Sequence, residues 1–118
     1  MREHTSRFGE LFECLVTQEI YRLNCERELD FKISYWHSNT NLVVDLVLSR
    51  GSGDPLAAIE IKSDTQPDTM DWKGLIAFSS EYPTAQRFCL CRSPHPYKAS
   101  DGTDVLPWLD GLEQVALL

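Results

Sequence analysis

Leu42-Val43-Val44-Asp45-Leu46-Val47-Leu48, Ser49-Arg50-Gly51-Ser52-Gly53-Asp54-Pro55 and Leu56-Ala57-Ala58-Ile59-Glu60-Ile61-Lys62 follow one another without a break. The outer two are apolar runs of strand length and the middle one is a dense turn signal, so the stretch reads as a β-hairpin. A strand that is apolar on both sides belongs inside a sheet covered on both faces. Asp45 is the exception in the first run; Glu60 and Lys62 are the exceptions in the second. Alternate residues of a strand point the same way, so Glu60 and Lys62 share a face while Ile59 and Ile61 take the other.

Upstream, Phe31 to His37 reads as a further strand with Phe31, Ile33 and Tyr35 on one face, and Ser38-Asn39-Thr40-Asn41 turns it into the hairpin. Before it, Phe8, Leu11, Phe12, Leu15, Val16, Ile20 and Leu23 form the stripe of an amphipathic helix from near Ser6 to Asn24, with Thr5 or Ser6 as its cap. Glu19 falls near the centre of that stripe and Glu13 at its edge, unusual places for acids. Downstream, Trp72, Leu75, Ile76 and Phe78 mark a helix over Thr69 to Glu81 that stops before Pro83. Arg87 to Cys91 reads as a buried strand, Arg92 to Asp104 as a loop, and Val105 to Leu118 as a terminal helix with Pro107 in its first turn. The expected architecture is one α/β domain over residues 1–118, in the order α-β-β-β-α-β-α, with a mixed central sheet flanked by helices.

With 118 residues the chain has room for one core and not for two. It contains no apolar run long enough to cross a bilayer, and Met1-Arg2-Glu3-His4 lacks the apolar stretch of a secretory signal, so a soluble cytoplasmic protein is expected. A net charge of −7 counts against a broad phosphate-binding surface and hence against DNA as a partner. Cys14, Cys25, Cys89 and Cys91 have no zinc-site spacing and read as buried or half-buried free thiols. Gly51-Ser52-Gly53 lacks the lysine and the following helix of a phosphate loop. Lys73 and Arg87 read as solvated surface, and His95 as a loop residue.

A lone acid within an apolar strand is costly unless something satisfies it. If the hairpin sets Asp45 beside Glu60, two carboxylates converge with the Lys62 ammonium at their edge. Held close, the acids repel, and a Mg²⁺ or Mn²⁺ ion resolves the repulsion because hard cations prefer carboxylate, carbonyl and water oxygens. The backbone carbonyl of Ile61 can add a ligand, and Lys62 can orient a water or stabilise charge on a phosphate. The plainer alternative is a cross-strand ion pair near a sheet edge.

Asp45 followed by Glu60-Ile61-Lys62 resembles the D-x(n)-(D/E)-x-K signature of the PD-(D/E)XK nuclease superfamily. More of the chain is similar to the DUF4143 domain, found at the C-terminus of a prokaryotic AAA ATPase family. The matching stretches are Gly9-Glu10-Leu11-Phe12-Glu13, Val44-Asp45-Leu46-Val47-Leu48, Ile59-Glu60-Ile61-Lys62-Ser63, Asp71-Trp72-Lys73-Gly74-Leu75-Ile76-Ala77-Phe78 and Leu106-Pro107-Trp108. The resemblance implies a restriction-endonuclease-like core. It also implies metal carboxylates at Asp45 and Glu60, a motif lysine at Lys62, and a first-helix acid at Glu13 as a further metal contact. Glu19 falls where such domains often carry a second helix acid, fitting a site role or a buried salt bridge. An AAA ATPase domain, in cis or in trans, is the implied partner, and such folds often work as homodimers. The chain is then either a C-terminal piece or a stand-alone remnant. His37 stands where the family often has arginine, and Val43 where it often has an acid. Two functions follow: metal-dependent cleavage of DNA, or a non-catalytic interaction module of nuclease-derived fold.

Overall fold

The hairpin forms as its turn chemistry demands. In the computed structural model, which describes residues 6–118, β2 (Val43–Ser49) runs antiparallel to β3 (Ala57–Ile61), with Leu46, Val47 and Leu48 opposite Ile59, Ala58 and Ala57. On the other side of β2 lies β1 (Lys32–His37), also antiparallel. After β3 the chain crosses over through a 3₁₀ turn (Thr69–Trp72) and α2 (Lys73–Glu81) into β4 (Gln86–Cys91), which pairs parallel to β3. The expected mixed sheet flanked by helices is present.

Two strands were not anticipated. The stretch read as a loop contains β5 (Tyr97–Lys98), and Val105 does not open the terminal helix but lies in β6 (Asp104–Pro107). β6 inserts between β4 and β5, parallel to the first and antiparallel to the second, giving six strands in the order β1-β2-β3-β4-β6-β5. Val105 is fully buried there, which explains the apolar run that resembled a helix start. The terminal helix α3 covers only Trp108–Ala116, and Pro107 precedes it.

The helices cover both faces of the sheet. On one side Phe12, Val16 and Ile20 of α1 (Ser6–Glu26) and Val115 of α3 pack on Leu46, Leu48, Ala57, Ile59, Ile61, Phe88 and Leu90. On the other, Trp72, Leu75 and Phe78 pack on Val44, Val47, Ala58, Cys89, Cys91 and Val105. Each large side chain buried here contributes on the order of 2 kcal/mol. The stripe of α1 is narrower than the sequence suggests: Leu11 and Leu15 point outward, and so does Tyr35 on β1. A cap by Thr5 lies outside the described residues.

The 3₁₀ turn that leads into α2 is held by a reciprocal cap. The Asp68 side chain accepts from the Met70 N–H, and Asp71 accepts from the Asp68 N–H. Gly74 then lies so close to β2 that a Cβ there would collide with the Val43 carbonyl. This approach seats α2 directly over the end of β2 that bears Asp45. Among the described residues no helix is long and apolar enough to cross a membrane.

Candidate functional site

Two departures from regular pairing shape the end of the sheet where Asp45 lies. The first is a bulge. Ser34 faces Val47 and Trp36 faces Val44, so the single residue Tyr35 spans both Asp45 and Leu46. The extra residue shifts the alternation of β2. Val44 and Val47 both contribute to the α2-side core, while Leu46 joins the α1-side core. Asp45 thereby turns toward α1, where it lines a cleft of about 480 Å³ with Glu10, Glu13, Cys14, Thr17 and Tyr21.

The second departure is a parting of strands. The β2–β3 ladder ends at Leu46 and Ile59, so the pairing of Asp45 with Glu60 that a continued hairpin would give does not form. β3 continues along β4 to Glu60 opposite Cys89 and Ile61 opposite Leu90. The Lys62 N–H donates to the Leu90 carbonyl of β4 at 3.0 Å. Backbone groups alternate between the two edges of a strand, so the Ile61 N–H and C=O face the side that β2 has left. Ile59 and Ile61 belong to the α1-side core, which puts Glu60 on the opposite face of β3, as alternation requires.

Glu60 is buried, and among the described residues its ion-pair partner is Lys62, with Nζ to Oε2 at 3.7 Å. Its acidity reports its surroundings. Burial, opposed by the Lys62 ammonium and reinforced by the Asp45 and Glu13 carboxylates, pushes the Glu60 carboxyl up to about 7. Glu13 on α1 is also raised, first by burial and then by Asp45, with Lys62 opposing. Glu60 and Glu13 thus lie within electrostatic range of Asp45 and Lys62, although Asp45 is exposed on the α1 side of the sheet, not buried as its apolar strand suggested, and Glu60 is buried on the α2 side. Three carboxylates share one ammonium. As placed, no three His, Cys, Asp or Glu side chains among the described residues stand close enough to enclose an ion. The start of α1 is fixed beside this gap by Arg92, which donates to the Ser63 carbonyl at 2.6 Å and stacks over the Phe8 ring at 4.9 Å.

The family model described as a domain of unknown function, DUF4143, matches residues 8–110. The chain belongs to the DUF4143 family. The match spans every stretch on which the resemblance rested, from Gly9 to Trp108. Neither the curated proteins nor the solved structures yielded a match.

Other polar residues of this DUF4143 domain have different tasks from those expected. Glu19 makes the salt bridge that was one of its two readings, half-buried rather than buried: it pairs with Arg22 at 2.7 Å and lines a groove with Leu109 and Leu112, toward α3. Cys14 and Cys25 are exposed rather than buried or half-buried, while Cys89 and Cys91 are buried, within that expectation. Arg87 is not solvated surface. It meets Asp101 at 3.3 Å, and Asp101 also accepts from the Trp72 indole, the Thr103 hydroxyl and the Thr103 N–H. Between them Gly102 has a φ of +95°, and a Cβ there would meet the Arg87 guanidinium at 3.0 Å. The Asp101-Gly102 pair is a hairpin signal that was available in the sequence. Lys73 and His95 are exposed, as expected, and so is Val43, which stands where the family often has an acid.

Proposed function

We propose that this domain is of the PD-(D/E)XK nuclease type and hydrolyses nucleic-acid phosphodiesters with the help of a bound Mg²⁺ or Mn²⁺. One observation carries the reading. β2 and β3 part immediately after Leu46 and Ile59, the Ile61 carbonyl turns to the side that β2 has left, and Glu60, from the α2 side of the sheet, lies within electrostatic range of Lys62 and of Asp45 and Glu13 on the α1 side. The donor set is all oxygen and carries excess negative charge, which suits a hard divalent cation. Asp45, Glu60 and the Ile61 carbonyl would hold the ion, with Glu13 as a further contact. When bound, such an ion supplies acidified water and offsets charge on a phosphate.

The chain's own groups have separable parts in this scheme. Glu60, half-protonated near neutrality, gives up its proton when a cation takes the proton's place, so ion binding rises with pH through about 7. Lys62 keeps Glu60 partly compensated and presents a cation to the attacked phosphate or to the attacking water. Purified protein with Mn²⁺ should nick DNA, and Asp45→Ala should abolish both cleavage and ion binding. Equal Mn²⁺ binding by wild type and Asp45→Ala, measured by calorimetry, would refute the assignment.

A second reading is favoured by the net charge of −7. It makes the domain a non-catalytic interaction module of nuclease-derived fold that serves an AAA ATPase in cis or in trans. On that reading no nucleic acid is hydrolysed and chelators leave stability unchanged. Cleavage that disappears in Lys62→Ala excludes it.

A further inference from the structure

Arg92 follows the last residue of β4, and its guanidinium is held from two directions. Nε donates to the carbonyl of Ser63, the residue after Lys62, at 2.6 Å, and the central carbon lies over the Phe8 ring at 4.9 Å. Arg50 is held in the same manner, over Phe31 at 4.4 Å and on the Leu29 carbonyl at 2.8 Å, but one of its terminal nitrogens is also taken, by the Leu118 carbonyl. Arg92 differs. Among the described residues nothing accepts from its terminal nitrogens and no carboxylate pairs with it, and the side chain is exposed. Fixing the start of α1 uses one of the five N–H donors and one face of the plane, so the outer edge of the fork is left over.

The surroundings of this arginine are the reverse of the acid-lined cleft at Asp45. Arg92 lines a pocket of about 520 Å³ with Thr65, Gln66, Ser93, His95 and Tyr97, and no carboxylate is among the lining residues. Asp64, the acid nearest along the chain, gives its carbonyl to the Arg92 N–H and does not line the pocket. The lining segments follow the carboxyl ends of β3 and β4, which run parallel, and that is the edge at which open α/β sheets receive ligands. A guanidinium with fixed orientation and free outer nitrogens meets two oxygens of one oxyanion at once, while the exposed Thr65 hydroxyl and Gln66 amide add uncharged donors. We propose that Arg92, with Thr65 and Gln66, binds one phosphate group in this pocket. On the nuclease-type reading the group is a backbone phosphate of the strand that is cut beside Lys62; this choice of source rests on that reading, and the phosphate site itself does not.

The test follows the amide NMR signals of Thr65, Gln66, Arg92 and Ser93 in the full, metal-free chain. It is titrated with inorganic phosphate, with a dinucleoside monophosphate that carries one phosphodiester and no terminal phosphate, and with chloride at matched ionic strength. Both phosphate compounds should give saturable shifts that chloride does not. Arg92→Met should weaken binding at least about tenfold, and Arg92→Lys, which keeps the charge and loses the fork, at least about threefold. Gln66→Ala, at an exposed position that leaves the contacts to α1 intact, should also weaken it. Shifts no larger than those from chloride overturn the inference, as does a folded Arg92→Lys variant that binds phosphate like the wild type. Inorganic phosphate binding without dinucleotide binding overturns the backbone as the source and supports a terminal or free phosphate in the same pocket. The two proposals fail separately. Mn²⁺-dependent nicking by a protein whose pocket ignores phosphate removes the phosphate site and leaves the nuclease reading. Fork-dependent phosphate binding by a protein that neither binds Mn²⁺ nor cleaves removes the nuclease reading and leaves the phosphate site.

Discussion

Asp45, within strand β2, and Asp101, in the turn between β5 and β6, head two polar clusters built on opposite plans. Asp101 is surrounded by donors: the Arg87 guanidinium, the Trp72 indole, and the N–H and hydroxyl of Thr103. Its charge is matched one to one, and the adjoining Gly102 makes room for the guanidinium. Around Asp45 the balance is reversed. Glu13, Asp45 and Glu60 share Lys62, and the closest ion-pair contact is 3.7 Å. A satisfied cluster holds the fold together, and a cluster with surplus negative charge is poised to accept something positive. The two aspartates thus differ in what they do because of what is arranged around them.

Mutation breaks this comparison most sharply. Asp101→Ala strands a half-buried guanidinium and should lower the unfolding free energy by about 3–5 kcal/mol, read from urea midpoints. Asp45→Ala relieves repulsion and should cost less than about 1 kcal/mol or even stabilise. Similar losses from the two changes would erase the distinction. Next in size is the response to a cation. Mn²⁺ at about a hundred times its Kd should add about 2.7 kcal/mol to the wild type, nothing to Asp45→Ala, and its full effect to a variant altered at Asp101 that still folds.

Acidity sharpens the comparison further. The folded-state value of Glu60 lies above its value in the unfolded chain, so between about pH 4.5 and 7 the folded form holds the extra proton. That contribution is fully present below the lower limit and is lost as pH rises through the upper one. Without added metal, Tm should therefore fall from pH 5 to pH 8. Glu60→Gln should flatten that fall and add on the order of 2 kcal/mol at pH 8. A pH profile identical to that of the wild type would mean that Glu60 is not the group responsible. The smallest effect belongs to Glu19, whose removal should leave both the urea midpoint and the Mn²⁺ response unchanged, since it pairs with Arg22 away from the gap.

Much of this arrangement is legible in the sequence, and the exceptions share a cause. The hairpin, the crossover through α2 and the buried β4 follow from apolar runs and turn chemistry that act locally. Strand β6 does not, because Val105-Leu106-Pro107 becomes a strand only where β4 and β5 provide its partners. The residue types at the site are equally plain, with acids and a lysine interrupting apolar strands. Their disposition is not plain: the face taken by Asp45 depends on a register shift opposite Tyr35, and register is a property of two strands together. The Arg87–Asp101 pair joins residues whose neighbourhood appears only after the sheet is assembled. On α1 the stripe of alternating apolar residues is wider than the contact area the sheet offers, so Leu11 and Leu15 remain outside.

The surplus residue in β2 also sets the phase of that strand. Val44 and Val47 lie under the same helix because Asp45 and Leu46 together fill the space of one residue opposite Tyr35. Removing Leu46 would restore a regular ladder, with Asp45 alone opposite Tyr35 and with Val44 and Val47 still under the same helix. The bulge thus lets a carboxylate and a leucine that are adjacent in sequence face one layer while the valines on either side of them stay in the other.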